Sequence, residues 1–203
     1  MFKELQLLRP RLVGASKYHP VKSIIAAYEE GQRDFGENYV QELVEKANDP
    51  EILAKCKQIK WHFIGHLQSN KVNKVLGIPN LYMIETVDSE KLASVLNTTW
   101  SKLGPPGTKL RVMIQVNTSR EEVKDGVNPK EVSNLTRFVL TECNNLELDG
   151  LMTIGKYGYN PEDGPNPDFL SLRGCRDEIC QTLGLNWKNI NLSMGMSTDY
   201  EQA

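Results

Sequence analysis

The chain predicts an α/β protein of the (β/α)8 barrel type. Short apolar runs of strand character alternate with segments whose apolar residues recur at helical spacing, along nearly all of the 203 residues. Each helical crossover returns the chain to the same end of the sheet, which makes the sheet parallel. Seven strand–helix units in a row favour a barrel over an open doubly wound sheet, and no glycine-rich dinucleotide fingerprint is present to weigh on the choice.

The strands are read at residues 12–16, 34–36, 61–65, 81–87, 110–116, 148–154 and 190–194. The fifth, Leu110-Arg-Val-Met-Ile-Gln-Val116, is the clearest, being β-branched and nearly continuous in apolar character, as expected of a strand covered on both faces. Helical spacing places helices at 21–32, 39–47, 89–103, 129–143 and 168–183, with start signals at Asp88-Ser89-Glu90 and Asn128-Pro129. Gly104-Pro-Pro-Gly107 reads as a turn before the fifth strand. Residues 155–167, rich in Gly and Pro, read as a long loop after the sixth strand, placed to act either as a lid or as a surface insertion.

Composition narrows the function. Twenty-four basic against 26 acidic side chains leave a net charge of −2, which supplies no field to draw the molecule to nucleic acid or an anionic membrane. No segment has the uncharged apolar run of a signal peptide or membrane span. Cys56, Cys143, Cys175 and Cys180 form no Cys-x-x-Cys pair, so a reducing, cytoplasmic setting is expected, with buried thiols rather than a redox pair or a cysteine metal site. One domain over 1–203 is the default at this length.

Four groups could carry chemistry. Lys17 ends the first strand, where a barrel would hold a carbonyl compound on a primary amine. Asp34-Phe-Gly-Glu37 then offers Glu37 and Asn38 at the same face as Lys17, and Asn38 could hydrogen-bond a ring or hydroxyl, or equally cap the helix that follows. Lys60-Trp-His-Phe-Ile-Gly-His-Leu-Gln-Ser-Asn-Lys71 crowds two histidines onto a strand end. His62 and His66 invite a metal-dependent hydrolase reading, but histidines hydrogen-bonded into the barrel mouth fit better, since no carboxylate lies at ligand spacing in the segment. Last, Leu192-Ser-Met-Gly-Met-Ser-Thr198 runs from the seventh strand into a small-residue turn and the start of a helix at Asp199. Its backbone N–H groups and hydroxyls suit either a phosphate or a plain helix cap.

Taken in order, Ala15-Ser-Lys17, Phe35-Gly-Glu-Asn-Tyr-Val-Gln-Glu42, Trp61-His-Phe-Ile-Gly-His-Leu-Gln68, Gly150-Leu-Met-Thr-Ile154 and Leu192-Ser-Met-Gly-Met-Ser197 resemble the pyridoxal phosphate homeostasis protein family. That family is similar to the amino-terminal barrel domain of bacterial alanine racemases. The resemblance implies pyridoxal 5′-phosphate held as a Schiff base on Lys17, with Asn38 beside it and Ser193, Met194, Gly195 and Ser197 facing its phosphate. It implies an intracellular carrier that buffers the aldehyde and delivers it to pyridoxal-phosphate-dependent apoenzymes, and a monomer.

Racemisation needs a second acid/base on the far face of the cofactor, supplied in the racemases by a tyrosine from a further β-domain. This chain has no residues left to build one, so no catalytic residue is expected. A racemase-like enzyme or a Schiff-base lyase on Lys17 is the alternative. The family also continues past the Ser-Met-Gly-Met-Ser block into a helix and an eighth strand with an Arg-x-Gly-Thr-like motif, and its amino-terminal helix is longer. The expectation is therefore a barrel lacking its eighth strand, with edges on the first and seventh.

Overall fold

Parallel strands that pair strictly in chain order can only curl. The computed structural model describes residues 10–121, 124–160, 162 and 164–203. Its sheet consists of β1 (Gly14–Ala15), β2 (Asp34–Glu37), β3 (Lys60–Phe63), β4 (Leu81–Val87), β5 (Leu110–Gln115), β6 (Leu146–Met152) and β7 (Asn191–Ser193). Each strand is paired in parallel with the next, in the order β1 to β7. A doubly wound sheet would reverse direction at a switch point, and no reversal occurs. The crossovers are α1 (Val21–Glu29), α2 (Val40–Ala47), α3 (Pro50–Lys55), α4 (Val72–Leu76), α5 (Glu90–Leu103), α6 (Val132–Glu142) and α7 (Pro167–Leu183). The helices clothe one face of the sheet, and the other face folds in on itself as an incomplete barrel. The expected fold class holds, with no eighth strand among the described residues.

The two faces have different cores. Between sheet and helices lies a continuous layer that includes Leu43, Ile52, Trp61, Phe63, Leu96, Ile114, Leu151 and Leu172. Inside the curl, Met83, Met113 and Met152 pack together with Ile64 and Tyr82 alongside. The amino-terminal end of the interior is plugged by the Tyr82 ring. Arg11, Lys60 and Arg111 approach it at 5.0, 4.9 and 4.8 Å, within cation–π range. The carboxyl-terminal end is left for the loops that carry the candidate groups.

Several boundaries differ from the sequence reading. β1 is two residues long rather than 12–16, because it is bonded on one side only, and Leu12 is left 63% exposed. β6 spans 146–152 rather than 148–154, since its register begins with Leu146 opposite Leu110, and Ile154 lies beyond the ladder. α3 and α4 were not expected. At six and five residues they are too short to show a period, although Asp49-Pro50 is a readable start: the Asp49 carboxylate accepts from the amides of Glu51 and Ile52. The helix expected from Asp199 is a series of turns over 197–202 with one α-type bond, Tyr200 N–H to Met196 O. Residues 161 and 163 of the 155–167 loop lie outside the described residues. Its start is anchored where Lys156 N–H donates to Asp168 (2.7 Å) and the Lys124 amine to the Gly155 carbonyl (2.7 Å). Among the described residues no helix is long and apolar enough to cross a membrane.

Two predictions arise from packing. Trp61 is fully buried and tilted against Phe35 at 6.2 Å between ring centroids. Trp61→Ala is expected to cost about 3–5 kcal/mol, read as a lowered midpoint in urea unfolding. Trp61→Phe is expected to cost less, since the indole N–H it removes has no hydrogen-bond partner. All four cysteines are free thiols. Burial, with Glu178 adding, pushes the Cys175 thiol up to about 11. Thiol titration of the native protein at pH 8 is therefore expected to leave Cys175 unmodified until denaturant is added.

Candidate functional site

Lys17 stands on a tight turn rather than on a strand. The turn closes where His19 N–H donates to Ser16 O at 3.0 Å, and Tyr18 takes the left-handed region at φ 63°. A tyrosine rarely adopts that conformation, and the surroundings hold it there. Tyr18 N–H donates to Glu42 (2.7 Å). Its phenol meets the Tyr39 hydroxyl at 2.5 Å, with the rings 5.4 Å apart. On the other side of Lys17, the Ser16 hydroxyl donates to Glu37 (2.7 Å), and the Lys46 ammonium donates to the Ser16 carbonyl (2.6 Å). Lys46 also pairs with Glu37 and Glu42, each at 2.7 Å.

Burial pushes the Glu37 carboxyl above the usual carboxylate range, against the hydrogen bonds from Lys46 and Ser16 that pull it down. At Glu42 burial also acts upward, but the bonds from Lys46 and the Tyr18 amide outweigh it and leave the group lowered. The Lys17 amine itself has no ion pair or hydrogen bond among the described residues and is exposed.

Asn38 follows β2 and is not a helix cap. The N-cap of α2 is Tyr39, whose side chain caps nothing, and the Asn38 Oδ1 atom is buried with no partner. A buried acceptor left unpaired is costly, so this oxygen stands ready for a donor. Asn38 is wedged by Gly65, where an added Cβ would stand 2.0 Å from the Asn38 carbonyl oxygen. The contact between Tyr18 and Tyr39 brings the turns bearing Lys17 and Asn38 together.

The two histidines do not form the metal pair that their spacing invites. His62 lies inside the barrel, with Nδ1 at 2.6 Å from Glu85 and Nε2 at 3.0 Å from Asp34. His66 is half exposed on the loop after β3, with Nδ1 at 3.1 Å from Asp125 and 3.9 Å from Asp88. These three residues keep their donor atoms within 4.8 Å of one another, an arrangement that surface ion pairing accounts for.

The turn after β7 is built by Asp199, which is buried. One oxygen accepts Met196 N–H (2.7 Å) and the other accepts the Asn166 amide (3.1 Å). Gly195 takes φ 93°, and the amides of Gly195, Ser197 and Thr198 have no partner among the described residues. The Met196 N–H between them is taken by Asp199, so the free backbone donors of the turn are Gly195 and the adjacent pair Ser197 and Thr198, groups of the kind that bind anions. Ser193 faces the interior, and its hydroxyl donates to Glu85 at 2.6 Å.

A family model described as the alanine racemase N-terminal domain matches residues 13–202, which contain every one of these groups. Pyridoxal phosphate homeostasis proteins of Homo sapiens and Bos taurus are each 51% identical over 201 residues, covering 99% of this chain and 73% of theirs. The chain belongs to the pyridoxal phosphate homeostasis protein family. A homeostasis protein of Aquifex aeolicus is 38% identical over 193 residues, covering 95% of this chain and 79% of its own. Among solved structures, PipY of Synechococcus elongatus without PLP superposes with a TM-score of 0.79 at 30% identity, covering 99% of this chain and 90% of that one. Its form with PLP bound gives 0.77 at 29%, covering 99% and 89%. An alanine racemase of Clostridium difficile, at 14% identity and a TM-score of 0.68 over 96% of this chain and 51% of that one, shares the fold.

In this family member the structure joins Lys17 to Asn38 through adjoining turns. The interior chain Ser193–Glu85–His62–Asp34 links the strand before the β7 turn to β2, which leads to Asn38. The sequence sets Glu37 with Asn38 on the face of Lys17, whereas Glu42, Lys46, Glu85 and Asp199 are not singled out for these contacts. Glu42 and Lys46 stand at i,i+4 spacing on α2, a pairing that spacing can announce, whereas nothing local marks Glu37, nine residues before that lysine, as its second partner.

Proposed function

We propose that this chain is one barrel domain over 1–203 that holds pyridoxal 5′-phosphate in the cytoplasm as a monomer and serves its homeostasis, without turning over a substrate of its own. The observation that carries the proposal is an exposed, unpartnered lysine amine and a buried, unpartnered Asn38 Oδ1 on turns that adjoin through the Tyr18–Tyr39 contact. The donor set fits the group. Lys17 would hold its aldehyde, and Asn38 would sit beside it, its free Oδ1 able to accept a hydrogen bond. The turn after Ser193 and Met194 would offer the free amides of Gly195 and Ser197 to its phosphate. When bound, the cofactor supplies a reactive aldehyde. The protein's part is to fix it by one covalent bond and one anion cradle while leaving a face open, so that it can pass to pyridoxal-phosphate-dependent apoenzymes. The pyridoxal phosphate in the PipY structure and the names of the relatives support this reading.

The test is borohydride reduction of the protein saturated with pyridoxal phosphate, followed by peptide mass mapping. A pyridoxyl group on Lys17, with no change in the optical rotation of added L-alanine, is expected. A pyridoxyl group on another lysine, or on none, overturns the proposal.

A further inference from the structure

A lysine side chain is long and loosely restrained, so where its amine can reach is set by the direction in which its backbone points it. In this chain the residues before and after Lys17 are both tied to one buried charge. Lys46 is 7% exposed and Glu37 fully buried. The Lys46 ammonium donates to the carbonyl of Ser16, to Glu37, which in turn accepts from the Ser16 hydroxyl, and to Glu42, which accepts from the Tyr18 amide. Burying such a pair seldom adds stability over an apolar replacement, and Glu37 Oε2 is even left without a partner. The stability of the barrel therefore does not explain the cluster. Its bonds converge on a single turn, and that turn holds a tyrosine in a strained conformation next to the lysine.

We propose that Lys46, acting through Glu37 and Glu42, is a positioning residue for Lys17: it fixes the Ser16–Tyr18 turn so that the Lys17 amine meets an aldehyde at the barrel mouth. This rests on the reading of Lys17 as the attachment point. In the step concerned, the amine nitrogen bonds to the aldehyde carbon and the aldehyde oxygen leaves as water. Holding the amine in place raises its effective concentration at that carbon and does nothing for groups that bind the ring or phosphate.

The experiment compares two ligands on three variants. Pyridoxal phosphate reports the covalent bond through its visible absorbance and borohydride trapping. 4′-Deoxypyridoxine 5′-phosphate has the same ring and phosphate without the aldehyde, and reports the pocket alone. Lys46→Met and Glu42→Ala are each expected to slow formation of the Lys17 bond about tenfold or more while leaving affinity for the analogue within about twofold. Glu42→Gln keeps an oxygen for the Tyr18 amide and is expected to restore most of the rate. Glu42 is half-buried on α2, so its variants test the proposal even where Lys46→Met does not fold. Unchanged rates in every folded variant, or equal losses for both ligands, overturn the positioning role. Absence of the Lys17 adduct in the unsubstituted chain is a different result, which sinks the attachment reading and this one with it.

Discussion

Lys17→Ala is expected to abolish the covalent adduct entirely: no imine absorbance in the visible and no pyridoxyl group on peptide mapping after borohydride. Stability should stay within about 0.5 kcal/mol, because the side chain is exposed and makes no contact whose loss would leave a buried group unpaired. Affinity for the aldehyde-free analogue should be unchanged, since the amides of the β7 turn and Asn38 are untouched. Such a variant separates the chemistry of one amine from the pocket around it. Retained absorbance would mean that another lysine does the work. Loss of analogue binding would mean that Lys17 serves the pocket and not the bond.

Gly65→Ala is expected to be the most damaging single-methyl change near the site, costing about 3 kcal/mol or more. The added Cβ would lie 2.0, 2.6 and 2.7 Å from the carbonyl oxygen, carbonyl carbon and Cα of Asn38. All three are backbone atoms, so no rotamer change relieves the clash. The β2 and β3 loops must separate, and Asn38 must leave its place. Urea unfolding should show the stability loss, and analogue affinity should fall with it. Gly174→Ala is the control. Nothing lies within 4 Å of the new methyl, in the middle of α7, and the variant is expected to gain about 0.5–1 kcal/mol from helix propensity.

The sheet was legible where a strand is covered on both faces. β4 falls at 81–87 as read, and β5 ends one residue early at Gln115. It was least legible at the rims. β1 loses most of its expected length because pairing on one side, which no local pattern encodes, decides how far the ladder runs. At the site, motif order marked Lys17, Asn38 and the β7 turn, and the structure changes what holds each. Asn38 looked equally like a cap, and the cap position falls to Tyr39, which frees the asparagine. Ser193 is expected to face a phosphate, and its hydroxyl donates to Glu85, 108 residues away in the chain, a partner that no local signal points to. Lys46 reaches Ser16 across 30 residues. Partners so far apart in sequence meet only after the sheet has curled, and no spacing rule announces them.

The line of polar groups through the interior has a mechanical consequence. Asp34, His62, Glu85 and Ser193 belong to the second, third, fourth and seventh strands, so the final link skips two strands and crosses the bore instead of following the wall. It acts as a strut. The diameter of the curled sheet is set from within, and the seventh strand cannot drift outward without stripping a nearly dry carboxylate of a hydrogen bond. The turn after the seventh strand is thereby braced against the second strand, which leads to Asn38.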